Sequence, residues 1–237
     1  MNALPVLSTL ATFAFTAAVF MRYLRRRGAH LLHWSIGLAL YGLGTLSEVL
    51  LSQGFSATVL RLWYLSGAML TAAWLGQGTL HLLVRRGKIA WIATAVLGAV
   101  SLAAAALISS APLTAAASSF HASLPVSTQY KEILVRGGAV TVLTILLNIY
   151  GPLTMVGGAL YSAYLFWRKH VLLHRVVGNV LIAAGALAPA MAGSLVRLGW
   201  VDALYLSELL GAILMFSGFL VATARPAQVA ARTPAVS

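Results

Sequence analysis

Apolar runs of roughly the 20 residues that a helix needs to cross a bilayer recur along the whole chain, separated by short polar clusters. Their alternation predicts seven helical spans, at residues 3–24, 30–52, 57–84, 89–110, 136–167, 172–197 and 201–223. Most breaks are brief (RRRGA, SQGFS and RRGK are typical), as expected for antiparallel neighbours in a bundle. The exception is the loop at about 109–136, rich in Ser, Ala and Pro. A loop of this length points to a lid over an outward pocket or to a disordered connector. The segment 224–237 is short and low in complexity and is expected to be a disordered tail. The fold class is therefore all-α: one polytopic seven-transmembrane helix bundle over residues 1–223.

Inside the spans the polar positions keep helical spacing. Trp34, Tyr41, Thr45, Glu48 and Ser52 align on the second span, and Arg61, Tyr64, Thr71, Trp74, Gly78 and His81 on the third. Thr141, Thr144, Asn148, Pro152 and Met155 align on the fifth, and Tyr205, Glu208, Ala212 and Met215 on the seventh. Lipid offers polar groups no hydrogen-bond partner, so these stripes are expected to face one another inside the bundle. The fifth span also carries NIYGPLT, where Pro152 removes a helical hydrogen bond and predicts a kink with freed carbonyls near Asn148. In the sixth span, Asn179 and Pro189 sit among small residues suited to close helix packing.

Composition confirms the class. Hydrophobic residues make up 60% of the chain and charged residues 8%, with mean hydropathy +0.91, whereas soluble domains keep about 25% charged residues. The net charge of +12 is a topology signal, and no nucleic-acid partner is expected. Arg22, Arg25, Arg26 and Arg27, then Arg85, Arg86 and Lys88, then Arg168, Lys169 and Arg175 fall on alternate connections, with Arg225 and Arg232 in the tail. The other side holds only Arg61, Lys131, Arg136 and Arg197. The positive-inside rule then places the N-terminus outside and the C-terminus in the cytoplasm, in a bacterial inner (plasma) membrane. The lipid bilayer is the one partner this reading requires.

The chain has four acidic residues, Glu48, Glu132, Asp202 and Glu208, all on or toward the predicted outer side. Glu48 and Glu208 lie away from the span ends, among apolar residues. An acid at a helix centre costs about 2.5–3.5 kcal/mol on insertion scales, so a partner or a wet cavity is expected. Arg61 is the expected partner of Glu48, and Arg197 that of Glu208. Two readings stay open, a pair of structural clamps or a pocket lined by Glu48, Arg61, Tyr64, Asn148, Tyr205 and Glu208.

Other chemistry is sparse. Cysteine is absent, which removes disulfides and thiolate sites. His30, His33, His81, His170 and His174 gather at the predicted cytoplasmic ends, where histidine is at home in the membrane interface. No cofactor is expected on that reading; the other reading is a haem or metal site built from His33, His81 and His174. The last lysine is Lys169, so the seventh span has no amine for a retinal Schiff base. HExxH, GxSxG and P-loop motifs are all missing, and an enzyme is the class the sequence supports least.

The stretch ALYGLGTLSEVL, followed after a short turn by RLWYLSGAMLTAAWL, resembles the seven-helix N-terminal sensor region of certain bacterial histidine kinases. The likeness covers the general layout and, more specifically, the region from Tyr41 to Trp74. It implies that Glu48, Arg61 and Tyr64 belong to the sensing half of a bundle. No kinase domain follows Thr223, so the resemblance implies a protein partner that reads the signal. The sequence thus points to a small-ligand sensor or receptor-like subunit. A small proton-coupled transporter and an accessory subunit of a membrane complex are the alternatives.

Overall fold

The computed structural model describes residues 3–84, 88–168, 173–197 and 203–223. Helices α1 (Ala3–Arg26) and α2 (Ala29–Leu51) come first, then α3 (Ala57–Trp63), a π-helical segment (Tyr64–Leu70) and α4 (Thr71–Leu83). After α5 (Ile89–Ser109) come a 3₁₀ turn (Ala115–Ser119) and the short α6 (Val126–Ile133). Helices α7 (Gly138–Arg168), α8 (Leu173–Arg197) and α9 (Ala203–Thr223) complete the order. Among the described residues the only β pairing is an isolated bridge between Leu113 and Leu134. Five helical stretches there are long and apolar enough to cross a membrane: Leu4–Arg26, Ala29–Leu51, Ile89–Ser109, Gly138–Arg168 and Tyr205–Thr223. Large apolar side chains such as Leu10, Ile92, Leu102, Ile149 and Leu153 are exposed on their outward faces, compatible with a bilayer around the bundle.

Six helical rods close into a ring. α1 packs on α2, α2 on α4, α4 on α7, α7 on α8, α8 on α9, and α9 returns to α1. α5 stands outside the ring, against α4 and α7. Small residues let the backbones meet. A Cβ on Gly185 would lie 2.8 Å from the Gly211 carbonyl oxygen across the α8–α9 contact. A Cβ on Gly76 would lie 2.8 Å from the Gly151 carbonyl oxygen across α4–α7. The small-residue run of the sixth span is therefore a packing face.

The π segment is absent from any pattern in the sequence. α3, the π turn and α4 form one continuous rod, and within it Thr71 Oγ1 donates to the Ser66 carbonyl five residues back, at 2.8 Å. Gly67 of this wide turn meets Gly44 of α2, where a Cβ would lie 2.9 Å from the Gly67 Cα. Asn148 of α7 donates to Ala68 O in the same segment at 2.7 Å and to Thr144 O at 2.9 Å. Pro152 lies inside the continuous helix α7, and Asn148, one turn before it, ties that helix to the π segment.

The long loop is folded. Thr114 Oγ1 donates to Glu132 O at 2.6 Å, and Gln129 bonds both the amide and the carbonyl of His121. Val126, Ile133 and Leu134 are buried beneath it, and Tyr130 packs on Trp63 and Tyr64 with ring centroids 5.2 and 5.5 Å apart. The loop is a cap on the end of the bundle where Glu48 lies. The predicted tail, with Arg225 and Arg232, lies outside the described residues, as do Arg85, Arg86, Lys169, His170 and Asp202.

Candidate functional site

α2 and α9 meet at Tyr41, whose hydroxyl donates to the Glu208 carbonyl oxygen at 2.9 Å. One face of α2 therefore brings Glu48 and Tyr41 to the helix that carries Glu208. The two carboxylates and the Tyr41 hydroxyl lie within electrostatic reach of one another. Glu48 is 3% exposed; its Oε1 accepts from Trp63 Nε1–H at 3.0 Å, and its Oε2 is buried with no hydrogen-bond partner. Glu208 Oε2 is likewise buried and unpartnered.

α1 adds hydroxyls. Ser8 Oγ is fully buried beside the Tyr41 hydroxyl, and Thr12 Oγ1, one turn along, is fully buried with no hydrogen-bond partner. Nearby hydroxyls behave differently: Thr9 donates to Pro5 O and Thr16 to Thr12 O, both at 2.8 Å, the usual way a membrane helix satisfies them. An unsatisfied buried polar atom costs about 1–3 kcal/mol, and more when it is charged. Such atoms lie on three helices of the ring, α1, α2 and α9.

The expected clamps take other forms. Arg61 donates through Nη2 to Ala111 O at 2.7 Å, so Trp63 and not Arg61 holds Glu48. Two residues turn a helix by about 200°, which sends Arg61 toward the loop and Trp63 toward α2. The side chain of Arg197 lies outside the described residues, and with it the Glu208–Arg197 pair. Tyr64 is buried elsewhere, sharing a 3.1 Å hydrogen bond with Thr144 of α7. Asn148 serves the π segment, and Tyr205 is buried one turn before Glu208. Of the six candidate pocket residues, Glu48 and Glu208 lie within electrostatic reach of each other, Tyr205 is three residues before Glu208, and the hydrogen bonds of Arg61, Tyr64 and Asn148 run to Ala111, Thr144 and Ala68. No family model, no characterised protein and no solved structure matches this chain.

Below the carboxylates, all six rods of the ring contribute to a central cavity of about 50 Å³. Its wall is apolar at Phe15, Leu38, Met155 and Phe219 and polar at Ser162 and Asn179. Above them, the cap reaches the site through the tilted ring contact of Tyr130 with Trp63. Burial raises the Tyr130 hydroxyl above its ordinary pKa, opposed by the Arg136 guanidinium 5.2 Å over its ring.

His33 and His81 do come together, with stacked rings 4.4 Å apart. His174 belongs to α8, which packs on α7 and α9. Among the described residues no three His, Asp or Glu side chains are grouped as metal ligands. The sequence stripes had named Tyr41 but not Ser8, Thr12 or Trp63. The i,i+4 spacing of Ser8 and Thr12 in the first span was the available signal.

Proposed function

We propose that the protein is a seven-span integral membrane protein of a bacterial plasma membrane, and that it transports a proton or small cation bound between Glu48 and Glu208. The spans on this reading are α1, α2, the α3–π–α4 rod, α5, α7, α8 and α9, oriented by the basic clusters with the carboxylates toward the outside. The observation that carries the reading is the pair of buried, unpartnered oxygens, Glu48 Oε2 and Glu208 Oε2. Like charges side by side in low dielectric repel, and one proton or cation between them relieves both. Ser8 and Thr12 supply neutral oxygens for the same guest. The central cavity lies inward of the carboxylates within the same ring of helices.

The test is ion flux into proteoliposomes, followed with a pH-sensitive dye and with monovalent cations in turn. Flux that is lost in both Glu48→Gln and Glu208→Gln supports transport. Flux indifferent to both substitutions removes the carboxylates from the mechanism. A second reading, a sensor subunit working through a protein partner, draws on the contact from cap residue Tyr130 through Trp63 to Glu48. Glu48-dependent binding without flux would favour it.

A further inference from the structure

A second polar cluster lies between α2, α4 and the outlying α5, fifteen residues along α2 from Glu48 and so about 22 Å away. His33 Nδ1 is 2.8 Å from the Ala29 carbonyl oxygen. A carbonyl only accepts, so this nitrogen carries a proton, and in the neutral ring Nε2 is bare. That bare nitrogen faces Thr94 Oγ1 at 3.2 Å. His81 Nε2 reaches the same oxygen at 2.8 Å, and Gln77 Nε2 also reaches it at 2.8 Å. Tyr150 of α7 donates to Gln77 Oε1, which fixes the amide with its nitrogen toward Thr94.

A hydroxyl has one proton and two lone pairs. With its proton on His33 Nε2, Thr94 accepts from His81 and from Gln77, and each group is satisfied. A second complete assignment exists. Thr94 also lies 3.0 Å from the Ala90 carbonyl oxygen, and Gln77 Nε2 reaches that same carbonyl at 2.8 Å. With Gln77 still donating to both oxygens, Thr94 can accept from Gln77 and from a His33 Nε2–H and turn its own proton to His81 Nε2, whose ring then carries its proton on Nδ1. His33 then holds a proton on each nitrogen. The two assignments differ by one proton, and no heavy atom has to move between them.

The surroundings limit the site to one charge. Two imidazolium rings stacked at 4.4 Å would repel strongly. Trp74 lies parallel to His33 at 5.8 Å and offers its π face to a single cation. The other titratable or charged groups on the surrounding elements are His30, Tyr41 and Glu48 on α2, Arg61 on α3, Tyr64 on the π segment, Lys88 at the cap of α5, and Tyr150, Tyr161, Tyr164 and Arg168 on α7. Tyr41 donates to Glu208 O, Glu48 accepts from Trp63, Arg61 donates to Ala111 O, Tyr64 bonds Thr144, and Lys88 is exposed.

We propose that His33, His81 and Thr94 form a binding site for one proton at the end of the bundle opposite the carboxylate pair. It stands on its own hydrogen-bond geometry and does not require that the carboxylates transport anything. The experiment is ¹⁵N NMR of the full chain, labelled at histidine and reconstituted in nanodiscs, titrated from about pH 4 to pH 9 across the ordinary histidine range. At high pH the His33 signal is expected to report a proton on Nδ1. On acidification His33 and His81 should shift together in one step that takes up a single proton. Thr94→Ser should keep that joint step, and Thr94→Val should uncouple the two rings. A His33 proton on Nε2 at high pH, two independent steps in the native chain, or rings neutral throughout would each overturn the proposal. The native chain alone decides these three outcomes, whatever the valine variant does to folding. Because the readout is spectroscopic, absence of flux would count against the transport reading and leave this result intact.

Discussion

The sharpest consequence of the geometry around Glu48 is the sign of the stability change on replacing it with glutamine. A carboxylate clamped by arginine and a carboxylate with an orphaned oxygen respond in opposite directions. Removing one member of a buried ion pair strands the other charge and costs about 3–5 kcal/mol. In the present structure no arginine is stranded, because Arg61 spends its Nη2 on Ala111. Glutamine keeps an amide oxygen for Trp63 Nε1 and places two N–H donors where Oε2 stood, within reach of the Glu208 carboxylate. Relief of one unsatisfied charged oxygen is worth about 1–3 kcal/mol, reduced by about 1 kcal/mol because the Trp63 bond is no longer charge-assisted. The net expectation is a variant as stable as the native chain or more stable by up to about 2 kcal/mol. For a chain of this length each kcal/mol moves the melting midpoint by about 2–4 °C. Thermal unfolding in a mild detergent, followed by tryptophan fluorescence, measures this directly. A midpoint lowered by an amount corresponding to about 3–5 kcal/mol would refute the argument and restore Glu48 as half of a clamp.

Three further outcomes follow from other parts of the structure. Gly76→Ala should destabilise the chain by about 1–3 kcal/mol by forcing α4 away from α7, visible in the same melt; an unchanged midpoint would mean the backbones do not meet there. Ser162→Leu should fill the central cavity and suppress flux while shifting the melting midpoint little, so full flux in this variant would separate the cavity from transport. The raised Tyr130 hydroxyl is an acid that the folded cap prefers neutral, so its contribution is complete below the ordinary tyrosine value of about 10 and is lost as pH rises through the higher folded value. The alkaline loss of stability should be smaller in Tyr130→Phe, and equal losses in both chains would exclude Tyr130 as the cause.

Much of the fold was legible because lipid imposes simple rules. Apolar run length located the helices, and the small residues of the sixth span correctly marked a packing face. The polar stripes placed Tyr41 and Glu48 on one face because a period of 3.6 residues is enough to do so. What periodicity cannot report is which helix lies opposite. Arg61 was assigned to Glu48 by nearness along the chain, but the helix turn delivers Trp63 to that place. The loop was read from its Ser, Ala and Pro content as lid or connector; its order comes from Gln129, Thr114 and a buried apolar underside, which composition does not encode. No sequence pattern singles out Thr94, and only the tertiary meeting of α2, α4 and α5 turns it into a hub.

The π segment sets the rotational phase of the third rod. Above it, Trp63 must point at Glu48; below it, Gln77 and His81 must point at Thr94. A regular α-helix turns by about 100° per residue, so deleting one residue from Tyr64–Leu70 and restoring α geometry would swing everything below by about that angle relative to Trp63. One of the two polar sites would then have to give up its partners. The extra residue works as a spacer in angle, letting a single rod serve two partners that no uniform winding would face at once.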